Sequence, residues 1–176
     1  VVKGGATLER LLPMAESEIR DGGWEAVVLQ DDLPETTVET FLESVAAGAS
    51  LVRAAGARPY LLETWPYARL SWIDAEGIAE AHRRAVEKTG IVPVPAGRAW
   101  RKAAAGLPDV DLLDTDREHP SVAGSWLAAC TLALVLHGGG QEPSLSAHPD
   151  GLNPAAAASL LSVARETIRI RDSGSF

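Results

Sequence analysis

Short apolar runs along the chain alternate with longer stretches in which apolar residues recur with a helical period. The run WEAVVLQ at residues 24–30 is apolar at consecutive positions and too short for a typical helix, which predicts a strand buried on both faces. Similar runs predict strands at residues 58–64 and 91–95. The periodic stretches predict helices at residues 6–20, 34–55, 75–89, 98–105 and 121–136, and from residue 154 onward. Strands alternating with helices predict βα units and a parallel sheet.

Capping residues and prolines indicate where several of these helices begin and end. Pro34 is expected to open the most strongly amphipathic helix of the chain. Asp74 and Gly90 carry the N-cap and C-cap signals of the helix between them. His82 falls on the apolar stripe of that helix, which predicts a hydrogen-bonded, partly buried histidine. Pro13 interrupts the first helix, so we expect a kink or a helix that restarts near it.

Length and composition are those of a globular protein, and we expect one domain over residues 1–176. Of its 176 residues 46% are hydrophobic and 23% charged. The formal net charge is −8 and the basic residues are scattered, which argues against a nucleic-acid partner. No apolar run reaches the roughly 20 residues that span a bilayer, so no membrane partner is expected. The sequence leaves compartment and oligomeric state open.

Cys130 is the single cysteine, which excludes an internal disulfide bond. Its place in an apolar helical run predicts a buried, unreactive thiol. No spacing of histidine, aspartate and glutamate supports a metal site, and no cofactor is expected.

Asp116 and His119 stand three residues apart in a polar loop directly before a helix. A carboxylate at this spacing can accept a hydrogen bond from the histidine Nδ1, which fixes the tautomer and stabilises the imidazolium form. Nε2 can then act as a general base toward a hydroxyl nucleophile. The alternative is that Asp116 only caps the helix and that His119 is a polar surface residue. The spacing alone does not decide between the two.

The sequence around this pair closely resembles the last conserved block of the SGNH hydrolases, Asp-x-x-His-Pro-Ser-x-x-Gly. Residues 116–129 read DREHPSVAGSWLAA. Other segments resemble further parts of that superfamily in the same order, namely GGATL at 4–8, VVLQ at 27–30, TW at 64–65 and VPVPAGRAW at 92–100. The resemblance covers nearly the whole chain and is greatest to a branch of uncharacterised bacterial members.

The resemblance implies a flavodoxin-like three-layer α/β/α fold with a parallel sheet, and a serine esterase that forms an acyl-serine intermediate. It implies that His119 is the base and Asp116 the carboxylate that orients it. The Gly5 N–H and the Gln30 side-chain amide would stabilise the oxyanion, with Gln30 in place of the asparagine common in the family. Gly5 could instead simply permit a turn, and Gln30 could satisfy loop backbone groups. The substrate would be a small-molecule or carbohydrate ester with a short acyl group such as acetyl.

Further side chains follow the predicted strands. Trp65 and Tyr67 could line the substrate pocket, or they could pack against the neighbouring loop. Asp31 and Asp32 are expected to be solvated loop carboxylates or charges at a helix N-terminus.

The sequence departs from the family at the nucleophile. SGNH enzymes carry it in a Gly-Asp-Ser or Gly-Asn-Ser block after the first strand, and neither tripeptide occurs here. Ser121 belongs to the helix start in the family pattern, while Ser173 and Ser175 have no strand before them and no helix after them. We therefore expect the first strand and the nucleophilic serine to lie upstream, in a longer natural protein, and the chain without them to be nearly inactive. A rearranged sheet is the alternative.

Two further functions are compatible with the sequence. The chain could be a non-catalytic binding domain that kept the SGNH scaffold and lost its nucleophile. A flavodoxin-like nucleotide-binding domain is disfavoured, because Gly4 and Gly5 form neither a Gly-x-Gly-x-x-Gly fingerprint nor a P-loop.

Overall fold

A computed structural model of the protein describes residues 1, 5–138 and 148–172, with side chains described as far as residue 169. This part of the chain contains three strands and six α-helices, which alternate as far as the fourth helix and are followed by two further helices. In order they are α1 (Leu8–Asp21), β1 (Ala26–Leu29), α2 (Val38–Ala54), β2 (Arg58–Leu62), α3 (Ala75–Thr89), β3 (Val92–Val94), α4 (Ala96–Gly106), α5 (Val122–His137) and α6 (Pro154–Asp172).

The strands form one parallel sheet in the order β1-β2-β3, which confirms the predicted α/β class. In the β1–β2 pair, Ala26 lies opposite Arg58 and Leu29 opposite Leu61. Within the described residues β1 is an edge strand, and its Val28 side chain is 37% exposed. The prediction that this strand is buried on both faces is therefore wrong at Val28, because the edge of the sheet is incompletely covered.

Contacts between Cα atoms group the chain into two compact units. Unit 1 comprises Val1–Thr64 and Trp72–Pro93, and unit 2 comprises Trp65–Ser71 and Val94–Phe176. Unit 1 thus contains α1, β1, α2, β2 and α3, while unit 2 contains α4, α5 and α6. Each unit has its own apolar core, so each is described separately. The expectation of a single domain stays a prediction.

The core of unit 1 forms where α1, α2 and α3 bury their apolar faces. Gly48 permits close packing here, since a Cβ at this position would lie 2.8 Å from the Leu29 side chain and 3.2 Å from that of Leu12. The fully buried residues include Leu33, Phe41, Val45, Ala49, Val52 and Ala85.

Local signals set most helix ends in unit 1, with one exception. The Asp74 side chain accepts a hydrogen bond from the Gly77 N–H at 2.8 Å, and Gly90 ends α3 in the left-handed conformation, as predicted. Pro13 lies within a continuous α1. Pro34, however, belongs to a separate 3-10 turn at Leu33–Glu35, and α2 begins at Val38 behind an N-cap threonine. The predicted start of this helix is wrong because the chain turns once before the cap.

The core of unit 2 forms between α4, α5 and α6. α5 is apolar around its whole circumference, and a helix of that kind must be covered on several sides. Cys130 is buried in it, as predicted, and burial raises the pKa of its thiol to about 11. The most deeply buried residues here include Ala99, Leu127, Leu160 and Ala164.

His82 is buried more completely than predicted, with 4% of its surface exposed. Its Nδ1 lies 2.8 Å from the Ile78 carbonyl oxygen, and its ring packs 4.8 Å from that of Phe41. Burial lowers the pKa of the imidazole to about 4, so the ring is neutral in the folded protein at neutral pH.

We expect this histidine to destabilise the fold in acid. Because the folded pKa is depressed, the unfolded chain takes up the proton first, and stability is lost as pH falls from 6.5 through 4. Relative to His82→Gln, the free energy of unfolding of the wild type should fall by about 3 kcal/mol between pH 7.5 and pH 4. Urea denaturation at both pH values measures the free energy of unfolding. His137→Gln is the control, because His137 is exposed. A constant difference between wild type and His82→Gln would contradict the assignment.

Candidate active site

The candidate site is built on a tight loop at residues 113–121, which precedes α5 in unit 2. Leu113 and Pro120 form an antiparallel bridge at its base. Within it, the Asp114 N–H donates to the His119 carbonyl at 2.8 Å, and the Arg117 N–H donates to the Asp114 carbonyl at 2.9 Å. The bridge and these bonds fold the Asp-x-x-His segment back on itself.

Arg117 stands at the tip of this loop in the left-handed conformation, with a φ of 60°. A non-glycine residue in this conformation costs about 1 kcal/mol or more relative to ordinary backbone angles. Interactions with other residues must therefore hold Arg117 in it. One such interaction is the ion pair between its guanidinium and Asp111, in which Nη1 lies 3.0 and 2.8 Å from the two carboxylate oxygens.

The Asp116 carboxylate joins the loop backbone to the imidazole. Its Oδ1 accepts hydrogen bonds from the N–H groups of Glu118 at 3.0 Å and His119 at 2.9 Å. Its Oδ2 lies 2.7 Å from the Nδ1 of His119. The Glu118 N–H, the imidazole and the His119 N–H together lower the pKa of Asp116 to about 2, so the group is a carboxylate at neutral pH.

This arrangement is the contact that the spacing predicted. A carboxylate at Nδ1 favours the tautomer with its proton on that nitrogen, which makes Nε2 the basic atom. The His119 side chain is 67% exposed and that of Asp116 51%. The pair is therefore accessible, and water weakens its electrostatic coupling.

Two other residues of the motif have structural roles. The Ser121 hydroxyl donates to the Asp111 carbonyl at 2.8 Å and accepts the Gly124 N–H at 3.2 Å, so it caps α5, in line with its expected place at the helix start. At Gly124, a Cβ would lie 2.2 Å from the Leu112 carbonyl oxygen and 2.3 Å from the Trp100 ring. Glycine is required there by packing. Ser173 and Ser175 lie outside the described residues.

Trp65 and Tyr67 both lie in unit 2. Trp65 is buried, stacks on Trp100 with ring centroids 4.2 Å apart, and donates from Nε1 to the Glu118 carbonyl at 3.1 Å. These contacts match the packing alternative. Tyr67 is half-buried, with the Arg69 guanidinium 5.6 Å from its ring centroid. A role for either residue in lining the substrate pocket stays a prediction.

Gly5 and Gln30 lie in unit 1. Gly5 is exposed and has a φ of 63°, which glycine adopts without strain and which suits a turn. Gln30 follows β1 directly, and its side chain is exposed. Their proposed contribution to an oxyanion hole stays a prediction.

Asp31 is the residue that sequence reasoning missed. It was expected to be solvated, yet it is 1% exposed. Neither carboxylate oxygen makes a well-formed hydrogen bond within the described residues, and the buried hydroxyls of Thr7 and Thr64 also have no partner there. Burial raises the pKa of Asp31 to about 6, partly offset by the Leu8 N–H. Its only sequence signal was its place directly after a buried strand, where functional residues collect in parallel sheets.

In the described residues, no three side chains of histidine, cysteine, aspartate or glutamate stand close enough to bind a metal ion. None of the helices described is both long and apolar enough to span a membrane.

Solved structures that resemble the chain agree with this architecture. A presumed SGNH hydrolase from Slackia heliotrinireducens is 30% identical, with a TM-score of 0.63 over 73% of this chain and 78% of that one. A DUF4886 family protein from Bacteroides uniformis is 20% identical, with a TM-score of 0.74 over 97% of this chain and 82% of that one, and shows the fold alone. No family model and no curated protein matches the sequence.

The chain has an α/β fold with a parallel sheet, like that of the Slackia protein, and carries an Asp–His pair in a loop before a helix. It belongs to the SGNH hydrolase superfamily, given its identity to the Slackia protein and the share of that protein it covers.

Gly124→Ala tests the packing of the motif helix. The added methyl group meets a backbone carbonyl and an aromatic ring, neither of which can move freely. We expect a loss of about 1–3 kcal/mol in the free energy of unfolding, despite the better helix propensity of alanine. Gly106→Ala is the matched control, because a Cβ there meets no atom within 4 Å. Equal unfolding curves for the two variants would contradict the packing described.

Asp31→Asn tests the cost of the buried carboxyl. Because the folded pKa is raised, the folded protein holds its proton longer, and stability falls as pH rises from 3.8 through 6. The variant should gain about 3 kcal/mol over the wild type between pH 3.5 and pH 7.5. The exposed Asp21→Asn is the control, and chemical denaturation is the measurement. A gain that does not depend on pH would show that burial does not perturb this carboxyl.

Proposed function

We propose that the protein is a carboxylic-ester hydrolase that acts through an acyl-serine intermediate. The observation that carries this proposal is the 2.7 Å contact between the Asp116 carboxylate and His119 Nδ1, on a chain of the SGNH hydrolase superfamily. An accessible histidine oriented by an ionised carboxylate is the base that a serine nucleophile requires.

In the proposed reaction His119 transfers protons in both directions. Nε2 takes the proton of a serine hydroxyl while the serine oxygen bonds to the ester carbonyl carbon. The resulting imidazolium, stabilised by Asp116, then donates that proton to the alcohol as the ester C–O bond breaks. Water repeats the sequence on the acyl-serine and releases the acid. The serine is proposed to lie upstream of the printed sequence in the natural protein, in the block that the family places after its first strand.

Stabilisation of the oxyanion is assigned to Gly5 and Gln30. The left-handed φ of Gly5 fits a backbone N–H presented from a turn, and the exposed Gln30 amide directly follows β1. A donor of this kind contributes roughly 3–4 kcal/mol in comparable hydrolases.

The proposed substrate is a small-molecule or carbohydrate ester with a short acyl group such as acetyl. Nothing in the net charge of −8 favours a strongly anionic partner. The exposure of His119 suits an acyl group carried on a larger molecule, because an exposed base can be reached without burying the rest of the substrate.

The proposal is tested by hydrolysis of p-nitrophenyl acetate with the full-length protein. His119→Ala should lower kcat/KM by a factor on the order of 10⁴. Asp116→Asn should cost roughly 10²–10³-fold, less than for a buried carboxylate, because the pair is exposed to water. His137→Ala, at the exposed end of α5, is the matched control and should retain wild-type activity.

Hydrolysis at the same rate after His119→Ala would refute the mechanism. Labelling with a fluorophosphonate followed by mass spectrometry separates the remaining possibilities. An acyl-serine enzyme should be labelled at one serine, and the label should depend on His119. A full-length protein that binds esters without labelling or turnover would instead be the non-catalytic binding domain.

A further inference from the structure

The two residues between Asp116 and His119 are held from outside their own loop. The Ala68 N–H donates to the Arg117 carbonyl at 3.1 Å, and the Trp65 Nε1–H donates to the Glu118 carbonyl at 3.1 Å. Both donors belong to residues 65–69, here called the bracing segment, which lies in unit 2 with the loop.

An ion pair adds a third attachment. The Arg69 guanidinium donates through Nε to Glu118 Oε2 and through Nη2 to Glu118 Oε1, the latter at 3.2 Å. Two-point pairing of this kind fixes orientation as well as distance. The pairing also lowers the pKa of Glu118, chiefly through the hydrogen bonds from Arg69, so the glutamate is ionised.

The bracing segment is itself anchored to the core of unit 2. Trp65 stacks on Trp100 with an angle of 10° between the rings, and Trp100 lies directly against Gly124 at the start of α5. Trp65, which donates a hydrogen bond to the loop, is therefore stacked on Trp100, and Trp100 packs against the helix that follows the loop.

We infer that Trp65 and Arg69 are positioning residues, which set the Asp116–His119 geometry by holding Glu118, the first at its backbone carbonyl and the second at its side chain. The inference rests on the proposed function for its catalytic consequence. Arg117 adopts the left-handed conformation, so its peptide groups would relax toward ordinary backbone angles without the bracing bonds. Such relaxation would rotate the two N–H groups that Asp116 accepts and move the carboxylate away from the imidazole.

Trp65→Phe and Arg69→Gln test the inference; the first retains an aromatic side chain but removes the N–H donor together with one of the two fused rings. Trp72→Phe and Arg83→Gln are the matched controls, because both residues lie in unit 1, whereas the bracing segment lies in unit 2. Trp72 also donates from Nε1 to a backbone carbonyl, at 2.8 Å. Arg83 also forms ion pairs with glutamates. In the full-length protein, Trp65→Phe should lower kcat for p-nitrophenyl acetate roughly tenfold to a hundredfold with KM unchanged. Arg69→Gln should lower it about fivefold, and the controls should stay within about twofold.

Imidazole nitrogen NMR gives a readout that does not depend on turnover. Wild type and controls should show His119 with its proton on Nδ1 when neutral, and Trp65→Phe should show a mixture of tautomers. If the wild type has no His119-dependent activity, the proposed function fails, and the NMR comparison alone decides the bracing role. If activity depends on His119 while both variants match their controls in kcat and tautomer, the inference is wrong and the function stands. Should Trp65→Phe not fold, the exposed Arg69→Gln decides.

Discussion

The Asp116 carboxylate is the group on which the rest of the candidate site depends. One oxygen accepts two backbone N–H groups and the other contacts the imidazole, so a single side chain fixes both the loop and the ring. Its pKa of about 2 keeps it charged throughout the physiological range. Because the loop hydrogen bonds already orient the carboxylate, little conformational freedom is lost when it meets the histidine.

The segment from Asp116 to Gly124 combines the Asp–His contact with packing requirements, and the structure separates the two. Asp116 and His119 are the proton-transfer pair of the proposed function, whereas Ser121 and Gly124 fix the helix that follows. Glycine is needed because the Trp100 ring and the Leu112 carbonyl leave no room for a methyl group. The whole motif is a more specific sequence signal than Asp116 and His119 alone. Its residues must satisfy both the geometry of the Asp–His contact and the packing of the core.

The sequence predicted what local interactions determine. α3 could be placed because Asp74 and Gly90 act within one turn of the helix ends, and the Asp–His contact could be predicted because three residues separate the partners. The burial of Asp31 and the hydrogen bond from Trp65 to the Glu118 carbonyl could not be predicted in this way. The first depends on how α1 and the end of β1 meet, and the second joins residues 53 positions apart. Tertiary contacts of this kind leave no periodic signal in the chain.

Several polar groups buried in unit 1 lower the stability of the fold. The Asp31 carboxyl is desolvated, which the Leu8 N–H offsets only in part, and the hydroxyls of Thr7 and Thr64 have no partner in the described residues. A buried polar group left unsatisfied costs on the order of 1–3 kcal/mol. Asp31 directly follows Gln30, the proposed oxyanion donor, and an apolar side chain in its place would avoid the cost. Proteins tolerate such groups mainly where function requires them. The burial of Asp31 costs stability at neutral pH, where its carboxyl must either ionise away from water or keep its proton.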